Sequence, residues 1–197
     1  MKTKKILILE DEILQALDLQ EFLTAEGYVT QIADTFEKGM NIVKSFEPHL
    51  ILCDINLKEN KTGINFAMDV NTCFSGIEVI FITAITKSEI IAAAQDANPL
   101  NYIVKPWKEE QIKVTIQMAF NYIEGKLKKN KIIETLTMSE YKIVKLITKQ
   151  MSSKEIASTL FISEKTVKNH RHNIIQKLNL SNEKNSLLKW AANNSDI

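Results

Sequence analysis

Five short apolar runs in the first 105 residues constrain the fold of this chain more than any other feature. Two of them, residues 50–52 and 79–82, are continuously apolar, as strands covered on both faces are. Amphipathic stretches with helical spacing separate the runs. We therefore predict strands over residues 5–10, 28–33, 50–55, 79–83 and 102–104, and helices near 12–26, 36–46, 63–72, 88–96 and 107–129. This alternation predicts an α/β fold with a parallel sheet and helices on both faces.

The pattern changes after Lys126. No strong strand pattern follows, and Gly125 is the one glycine after residue 76. Helical periodicity instead covers residues 141–149, 154–160, 164–178 and 183–192. The sequence thus predicts two domains, residues 1–122 and 136–197. A charged linker over 123–135 joins them, with a helical extension as one alternative for its structure.

Charge differs between the two halves. Residues 1–120 carry 11 lysines and 17 acidic residues, a net of −6, whereas residues 121–197 carry 14 basic and 7 acidic residues, a net of +7. The basic half is consistent with a polyanionic partner. No apolar stretch approaches the roughly 20 residues of a membrane span, and Cys53 and Cys73 lack metal-ligand spacing. We expect a cytoplasmic protein with reduced thiols and no membrane association.

Polar residues stand at the carboxyl ends of the predicted strands, which is where parallel sheets bind their ligands. The first strand ends in Glu10 and Asp11, the third in Asp54, the fourth in Thr83 and the fifth in Lys105. Carboxylates so close repel one another unless a cation lies among them, and oxygen ligands suit Mg²⁺. An aspartate beside that ion can attack phosphorus, and the metal and Lys105 would neutralise the transferred phosphoryl group.

In order and spacing these residues resemble the receiver domains of response regulators; the match rests on Glu10-Asp11, Asp54, Thr83-Ala84, Tyr102 and Lys105-Pro106. The resemblance covers about residues 1–122 and implies a flavodoxin-like fold, a doubly wound five-stranded parallel sheet. It makes Asp54 the phosphoacceptor and gives a Mg²⁺ site formed by Glu10, Asp11, Asp54 and the carbonyl of Asn56. Its catalytic and switch residues are Lys105, Thr83 and Tyr102, and a cis peptide precedes Pro106. Residues 58–62 are unusually polar beside this site, which makes them candidates for tuning access to it.

In the second half, capping signals predict two helix starts. Thr137 is followed three residues later by Glu140, which is the pattern of a capping box, and Ser163 is an expected N-cap for the helix over 164–178. Polar residues near the N-terminus of that helix are typical of a helix that reads the major groove. One compact core is expected from Ile156, Ala157, Leu160, Ile162, Val167, Ile174 and Leu178.

Residues 136–180 resemble the LuxR-type (NarL/FixJ) helix-turn-helix, through segments 154–157, 162–168, 173–174 and 177–178. The resemblance implies an all-α four-helix domain that binds promoter DNA. Implied contacts to bases or nearby backbone come from Lys168, Asn169 and His172, and implied phosphate contacts from Lys154, Lys165, Thr166 and Lys177. Gln150 stands where the family usually has glycine. If that position requires a left-handed backbone, glutamine costs about 1 kcal/mol there.

Together the two resemblances imply a phosphorylation-dependent transcription regulator without independent catalytic activity. Its phosphodonor would be a sensor histidine kinase, and phosphorylation would favour a homodimer. Three alternatives stay open. A phosphatase-like or metal-dependent hydrolase would need a separate acid or base, which is not evident at the strand ends. An atypical regulator would act without phosphorylation, and a receiver with a protein-interaction output domain would not bind DNA.

Overall fold

The computed structural model describes residues 3–58, 61–84, 88–181, 183 and 185–194, without the side chains of residues 88–91 and 132. Two compact units divide the chain between Glu124 and Gly125. Within the described ranges, no helix has both the length and the apolar character that crossing a membrane requires.

The first unit is a five-stranded parallel sheet with the strand order β2-β1-β3-β4-β5, which confirms the predicted α/β fold. Its strands are β1 (Lys5–Leu9), β2 (Val29–Ala33), β3 (Leu50–Cys53), β4 (Glu78–Thr83) and β5 (Asn101–Val104). The helices that begin in this unit are α1 (Ile13–Ala25), α2 (Phe36–Phe46), α3 (Gly63–Cys73), α4 (Ser88–Asp96) and α5 (Glu109–Glu134).

Two apolar cores lie on opposite faces of this sheet, because successive side chains of a strand point to opposite sides. In β1, Leu7 and Leu9 face one core with α2 and α3, whereas Ile6 and Ile8 face the other with α1 and α5. All four side chains are buried. Burial on both faces explains why the strands are continuously apolar in the sequence.

The second unit is all-α, as predicted. After α5 its described part contains α6 (Met138–Thr148), α7 (Ser153–Leu160), α8 (Glu164–Lys177) and α9 (Ser186–Ala192). The predicted core is confirmed: its seven residues belong to one cluster, in which Leu160 and Ile162 are the partly buried members. The capping box of Thr137 and Glu140 and the N-cap at Ser163 are confirmed as well.

Two predicted helix limits were wrong. Helix α5 extends to Glu134 rather than residue 129, because residues 126–131 are mostly lysines and other good helix formers without glycine or proline. Helix α9 begins at Ser186 rather than residue 183, because Asn185 has the left-handed φ of 75° and cannot be part of a helix. The domain limits proposed from the sequence, 1–122, 123–135 and 136–197, stay a prediction.

Candidate functional site

Three carboxylates lie together at the carboxyl edge of the sheet. The Asp54 amide donates a hydrogen bond to the Leu9 carbonyl at 2.8 Å, and the Glu10 amide donates to the Ala33 carbonyl at 3.0 Å, so the sheet itself fixes both backbones. One carboxylate oxygen from each of Glu10, Asp11 and Asp54 lies within 4.8 Å of the other two. Three clustered hard oxygen donors fit Mg²⁺, which takes oxygen ligands and keeps several waters.

Lys105 lies against two of these carboxylates. Its ammonium is 2.6 Å from Glu10 Oε2 and 2.7 Å from Asp54 Oδ2. Burial alone would lower the pKa of Lys105, but the hydrogen bonds to Asp54 and Glu10 outweigh it and hold that pKa above its ordinary value. Burial raises the pKa of Glu10 despite its contact with Lys105. The peptide bond between Lys105 and Pro106 is cis, as the resemblance implied.

The start of α3 packs tightly against the backbone of Asp54. A capping box of Thr62 and Asn65 begins the helix, and the Gly63 amide donates to the Ile55 carbonyl at 2.9 Å. A Cβ on Gly63 would lie 2.0 Å from the Asp54 carbonyl oxygen, so only glycine fits. On the Asp54 side chain, Oδ1 accepts a hydrogen bond from the Asn56 amide at 3.0 Å.

The predicted switch residues lie on the two strands next to the acidic group. Thr83 ends β4 with a buried side chain, and its carbonyl accepts a hydrogen bond from the Lys105 amide at 2.9 Å. Tyr102 in β5 is half-buried and packs edge-on against Phe81, with ring centroids 6.4 Å apart. Burial raises the pKa of Tyr102, and the charge of Asp54 raises it further. The structure therefore brings every predicted receiver residue to one edge of the sheet.

Helix α8 presents four of the predicted DNA-contacting residues on one exposed stripe. Lys165, Lys168, Asn169 and His172 recur at spacings of three and four, and all four are exposed. Val167 and Ile174 on the opposite side are buried in the core of the unit. The fifth predicted residue of α8 near its start, Thr166, hydrogen-bonds through its amide to the N-cap Ser163 at 3.0 Å.

The remaining two predicted DNA contacts have different surroundings. Lys154 is exposed near the start of α7, and its charge helps to lower the pKa of Glu164, after the larger effect of Lys168. Lys177 lies off the α8 stripe, with its ammonium 2.6 Å from Oε2 of the buried Glu140. A phosphate contact by Lys177 stays a prediction, and the structure gives its ammonium a partner within the unit.

Sequence reasoning missed the ion pairs of Lys58 and Lys177. Lys58 Nζ lies 3.2 Å from Asp11 Oδ2 and 3.5 Å from Glu12 Oε1, and the hydrogen bond to Asp11 raises the pKa of Lys58. The second is the pair of Lys177 and Glu140. The polar character of residues 58–62 was a signal for the first pair. Within that range, Glu59 and Asn60 lie outside the described residues. The second joins residues 37 apart and has no local signal.

Comparisons with known proteins agree with this geometry. The family model of the response regulator receiver domain matches residues 6–117, and that of the LuxR family of bacterial regulatory proteins matches residues 134–189. The chain is 26% identical to the response regulator protein VraR of Staphylococcus aureus, over 94% of this chain and 95% of that one. It is 27% identical to the transcriptional regulatory protein LiaR of Bacillus subtilis, over 90% and 92%.

Among solved structures, full-length FixJ of B. japonicum matches with a TM-score of 0.60 and 16% identity, over 100% of both chains. A CheY-like receiver domain from Methanospirillum hungatei matches with a TM-score of 0.61 and 24% identity, over 64% of this chain and 99% of that one. At these identities the two matches concern the fold alone.

Proposed function

The chain belongs to the two-component response regulators, with a receiver domain and a LuxR-type DNA-binding domain, and on this premise we propose that phosphorylation of Asp54 controls its self-association and its binding to promoter DNA. The observation that carries the proposal is the contact of Lys105 with Asp54 inside the group of three carboxylates. The phosphodonor is a sensor histidine kinase, and the protein acts in the cytoplasm, where the kinase and the promoter are both accessible.

In the proposed transfer, a carboxylate oxygen of Asp54 attacks the phosphorus of a phosphohistidine. The new oxygen–phosphorus bond forms as the phosphorus–nitrogen bond breaks, and the donor nitrogen takes up a proton. Lys105 neutralises charge on the phosphoryl oxygens, and the Asn56 amide holds the orientation of the carboxylate. Glu10, Asp11, Asp54 and the Asn56 carbonyl would hold Mg²⁺, which would supply further positive charge at the transferred group.

The proposed switch uses the connection between β4 and β5. The phosphoryl oxygens attract the Thr83 hydroxyl, and Tyr102 occupies the space that Thr83 leaves. Because the Lys105 amide donates to the Thr83 carbonyl, a shift at the end of β4 also moves β5. The surface that changes favours a homodimer. Two DNA-binding domains in one dimer gain affinity for two half-sites through effective concentration.

Intact mass after treatment with Mg²⁺ and acetyl phosphate tests the phosphoacceptor. We expect one hydroxylamine-labile phosphoryl group in the wild-type protein and none in Asp54→Asn. The matched control is Asp69→Asn, because Asp69 is an exposed acid on α3. Labelling that persists in Asp54→Asn contradicts the assignment.

DNA selected from a random pool by the phosphorylated protein tests the output. Phosphorylation should tighten binding to a two-half-site fragment more than to a single half-site, and sedimentation should show a dimer. Lys168→Ala should cost about 1–3 kcal/mol and relax base preference, because Lys168 lies on the exposed stripe of α8. Lys154→Ala should weaken binding to all sequences equally and lower the salt slope by about 1.

Two outcomes favour the other interpretations. Equal DNA affinity with and without the phosphoryl group favours a regulator that does not depend on phosphorylation. A C-terminal half that binds no DNA even at low salt favours an output through protein contacts.

A further inference from the structure

The carboxylates at the edge of the sheet divide into two pairs, and each pair has its own lysine. Lys105 contacts Glu10 and Asp54, and these contacts are short and largely shielded from solvent. Asp11, the third member of the predicted metal site, lies beyond them. Asp11 forms an ion pair with the ammonium of Lys58, which also pairs with Glu12.

The position of Lys58 in the chain makes this pair sensitive to a metal ion. Lys58 follows Asp54 by four residues and has a left-handed φ of 47°, so the loop after β3 turns back toward the start of α1. Its side chain is 63% exposed, whereas that of Asp11 is 12% exposed. The ammonium therefore covers Asp11 from the solvent side, where a hydrated divalent cation would approach.

We propose that Lys58 is the counter-ion of Asp11 in the metal-free protein and that Mg²⁺ must displace it to bind. Lys58 thereby raises the Mg²⁺ concentration at which Asp54 becomes competent for phosphorylation. This inference rests on the proposed function. The physical reason is that an ammonium and Mg²⁺ compete for the same carboxylate charge and repel each other when both are near it.

Lys58→Ala should bind Mg²⁺ about two- to five-fold more tightly than the wild-type protein, the range expected for loss of an exposed ion pair. Trp107 lies beside Lys105 in the same surface cleft, so its fluorescence can report binding when the other tryptophan is removed by Trp190→Phe. Because Lys58 is exposed, the difference between variant and wild type should narrow at high ionic strength.

Two matched variants separate charge at Asp11 from general effects of the loop. Lys61→Ala removes a lysine from the same loop whose ammonium lies 4.1 Å above the Phe36 ring and 4.0 Å from Asp69, so Mg²⁺ affinity should not change. Lys58→Arg keeps the charge and should stay close to wild type. The Mg²⁺ concentration that half-saturates Asp54 labelling by acetyl phosphate should fall in Lys58→Ala and in neither control.

The outcomes distinguish this inference from the proposed function. Equal or weaker Mg²⁺ binding by Lys58→Ala, with normal labelling of Asp54, overturns the role of Lys58 alone. Tighter binding that occurs equally in Lys61→Ala also overturns it, because the effect then belongs to net charge. If neither fluorescence nor labelling of the wild-type protein responds to Mg²⁺, both the inference and the proposed metal site are wrong.

Discussion

A lysine lies against a buried carboxylate in each of the two units, but the surroundings of the two contacts differ. In the first unit, Lys105 is shared by Glu10 and Asp54, and Asp11 adds a third carboxylate nearby. In the second unit, Lys177 meets the single carboxylate of Glu140 among the residues that the structure describes. The carboxylate of Glu140 also accepts hydrogen bonds from the amide and hydroxyl of Thr137, at 2.7 and 2.9 Å.

As a result, the pKa values of the two glutamates are shifted in opposite directions from the ordinary value. Burial raises the pKa of Glu10, whereas the hydrogen bonds from Lys177 and Thr137 outweigh the effect of burial and lower the pKa of Glu140. A pair whose charges and hydrogen bonds are all satisfied holds helices together. A group with more carboxylates than cations is costly to fold, which is typical of a site that acquires a cation or a phosphoryl group.

Gly63→Ala should disrupt the first of these sites. Among the substitutions predicted here, it should cause the largest loss of stability. The new Cβ would lie 2.0 Å from the Asp54 carbonyl oxygen and 2.7 Å from Cys53 Sγ, so α3 or the end of β3 must move. We expect a loss of about 3 kcal/mol in the free energy of unfolding and weaker labelling of Asp54. Urea unfolding followed by Trp107 fluorescence, in a Trp190→Phe background, measures the stability.

Gly125→Ala is the matched control for this prediction. Beyond the neighbouring backbone of α5 itself, no heavy atom of the described residues lies within 4 Å of a Cβ at Gly125, so alanine should stabilise the helix by about 0.5–1 kcal/mol. Equal effects of the two substitutions would contradict the tight approach of α3 to Asp54.

Glu140→Ala should break the second site. The change removes the partner of Lys177 and half of the capping box of α6, and it leaves the Thr137 amide without its acceptor. Lys177 is partly exposed and can turn to water, so we expect a loss of about 2 kcal/mol rather than the larger cost of a fully buried charge. Trp190 fluorescence, in a Trp107→Phe background, follows the unfolding of this unit.

The control for Glu140 is Glu155→Ala. Glu155 has the same place in the capping box of α7 but is exposed, and the ion pairs described for this unit leave it without a lysine. Glu155→Ala should therefore lower the free energy of unfolding by less than Glu140→Ala does. If the two substitutions cost the same, the pair with Lys177 contributes nothing beyond the cap.

The sequence was sufficient for the fold and for the place of the first site. Strands buried on both faces must be continuously apolar, and parallel strands bring their carboxyl ends to one edge, so Asp11, Asp54 and Lys105 were expected to meet. The partners of Lys58 and Lys177 could not be predicted. Each depends on how elements far apart in the chain pack, and a lysine on a polar surface has many acidic residues within reach.

Glycine positions show the same limit. Gly63 was predicted only as the start of a helix, since the distance from its Cα to Asp54 is a property of the packed unit. The C-terminus of α5 and the N-terminus of α9 were misplaced in the prediction. A run of lysines and an asparagine with a left-handed backbone are both weak signals in a sequence.

Acid should change the stability contributed by the two glutamates in opposite directions. The folded pKa of Glu140 lies below its ordinary value of 4.5, so the unfolded chain binds more protons in that range. The stability that Glu140 contributes is therefore complete above the unfolded pKa and is lost as the pH falls through the folded pKa. The sign is opposite for Glu10, whose folded pKa is raised.

Urea midpoints of the second unit between about pH 5 and pH 3 test this linkage. We expect the wild-type midpoint to fall more steeply with acid than that of Glu140→Gln, which cannot titrate at this position. The effect should be smaller than that of Glu140→Ala, because a protonated carboxyl keeps its shape and part of its hydrogen bonding. Parallel curves for wild type and Glu140→Gln would show that Glu140 does not titrate differently in the folded protein.

The smallest expected effect comes from the turn after α6. Gln150 has a φ of 61°, so the left-handed backbone suggested by the glycine of related proteins is present here. Its amide donates to the Ile147 carbonyl at 2.8 Å and the next amide, of Met151, donates to the Leu146 carbonyl at 3.2 Å, which is the Schellman arrangement that favours glycine or asparagine. Helix α8 ends in the same arrangement with Asn179, a residue that tolerates this backbone.

Gln150→Gly should therefore stabilise the second unit by about 0.5 kcal/mol. Relief of the left-handed glutamine contributes about 1 kcal/mol, and the greater freedom of glycine in the unfolded chain offsets about half of it. Lys149→Gly is the control, because Lys149 is next to Gln150 but has an ordinary φ of −82°. Glycine at position 149 therefore brings only the entropic cost. Urea unfolding followed by Trp190 should thus shift in opposite directions for the two glycines. A loss of stability in both would mean that the backbone at Gln150 carries no strain that glycine can relieve.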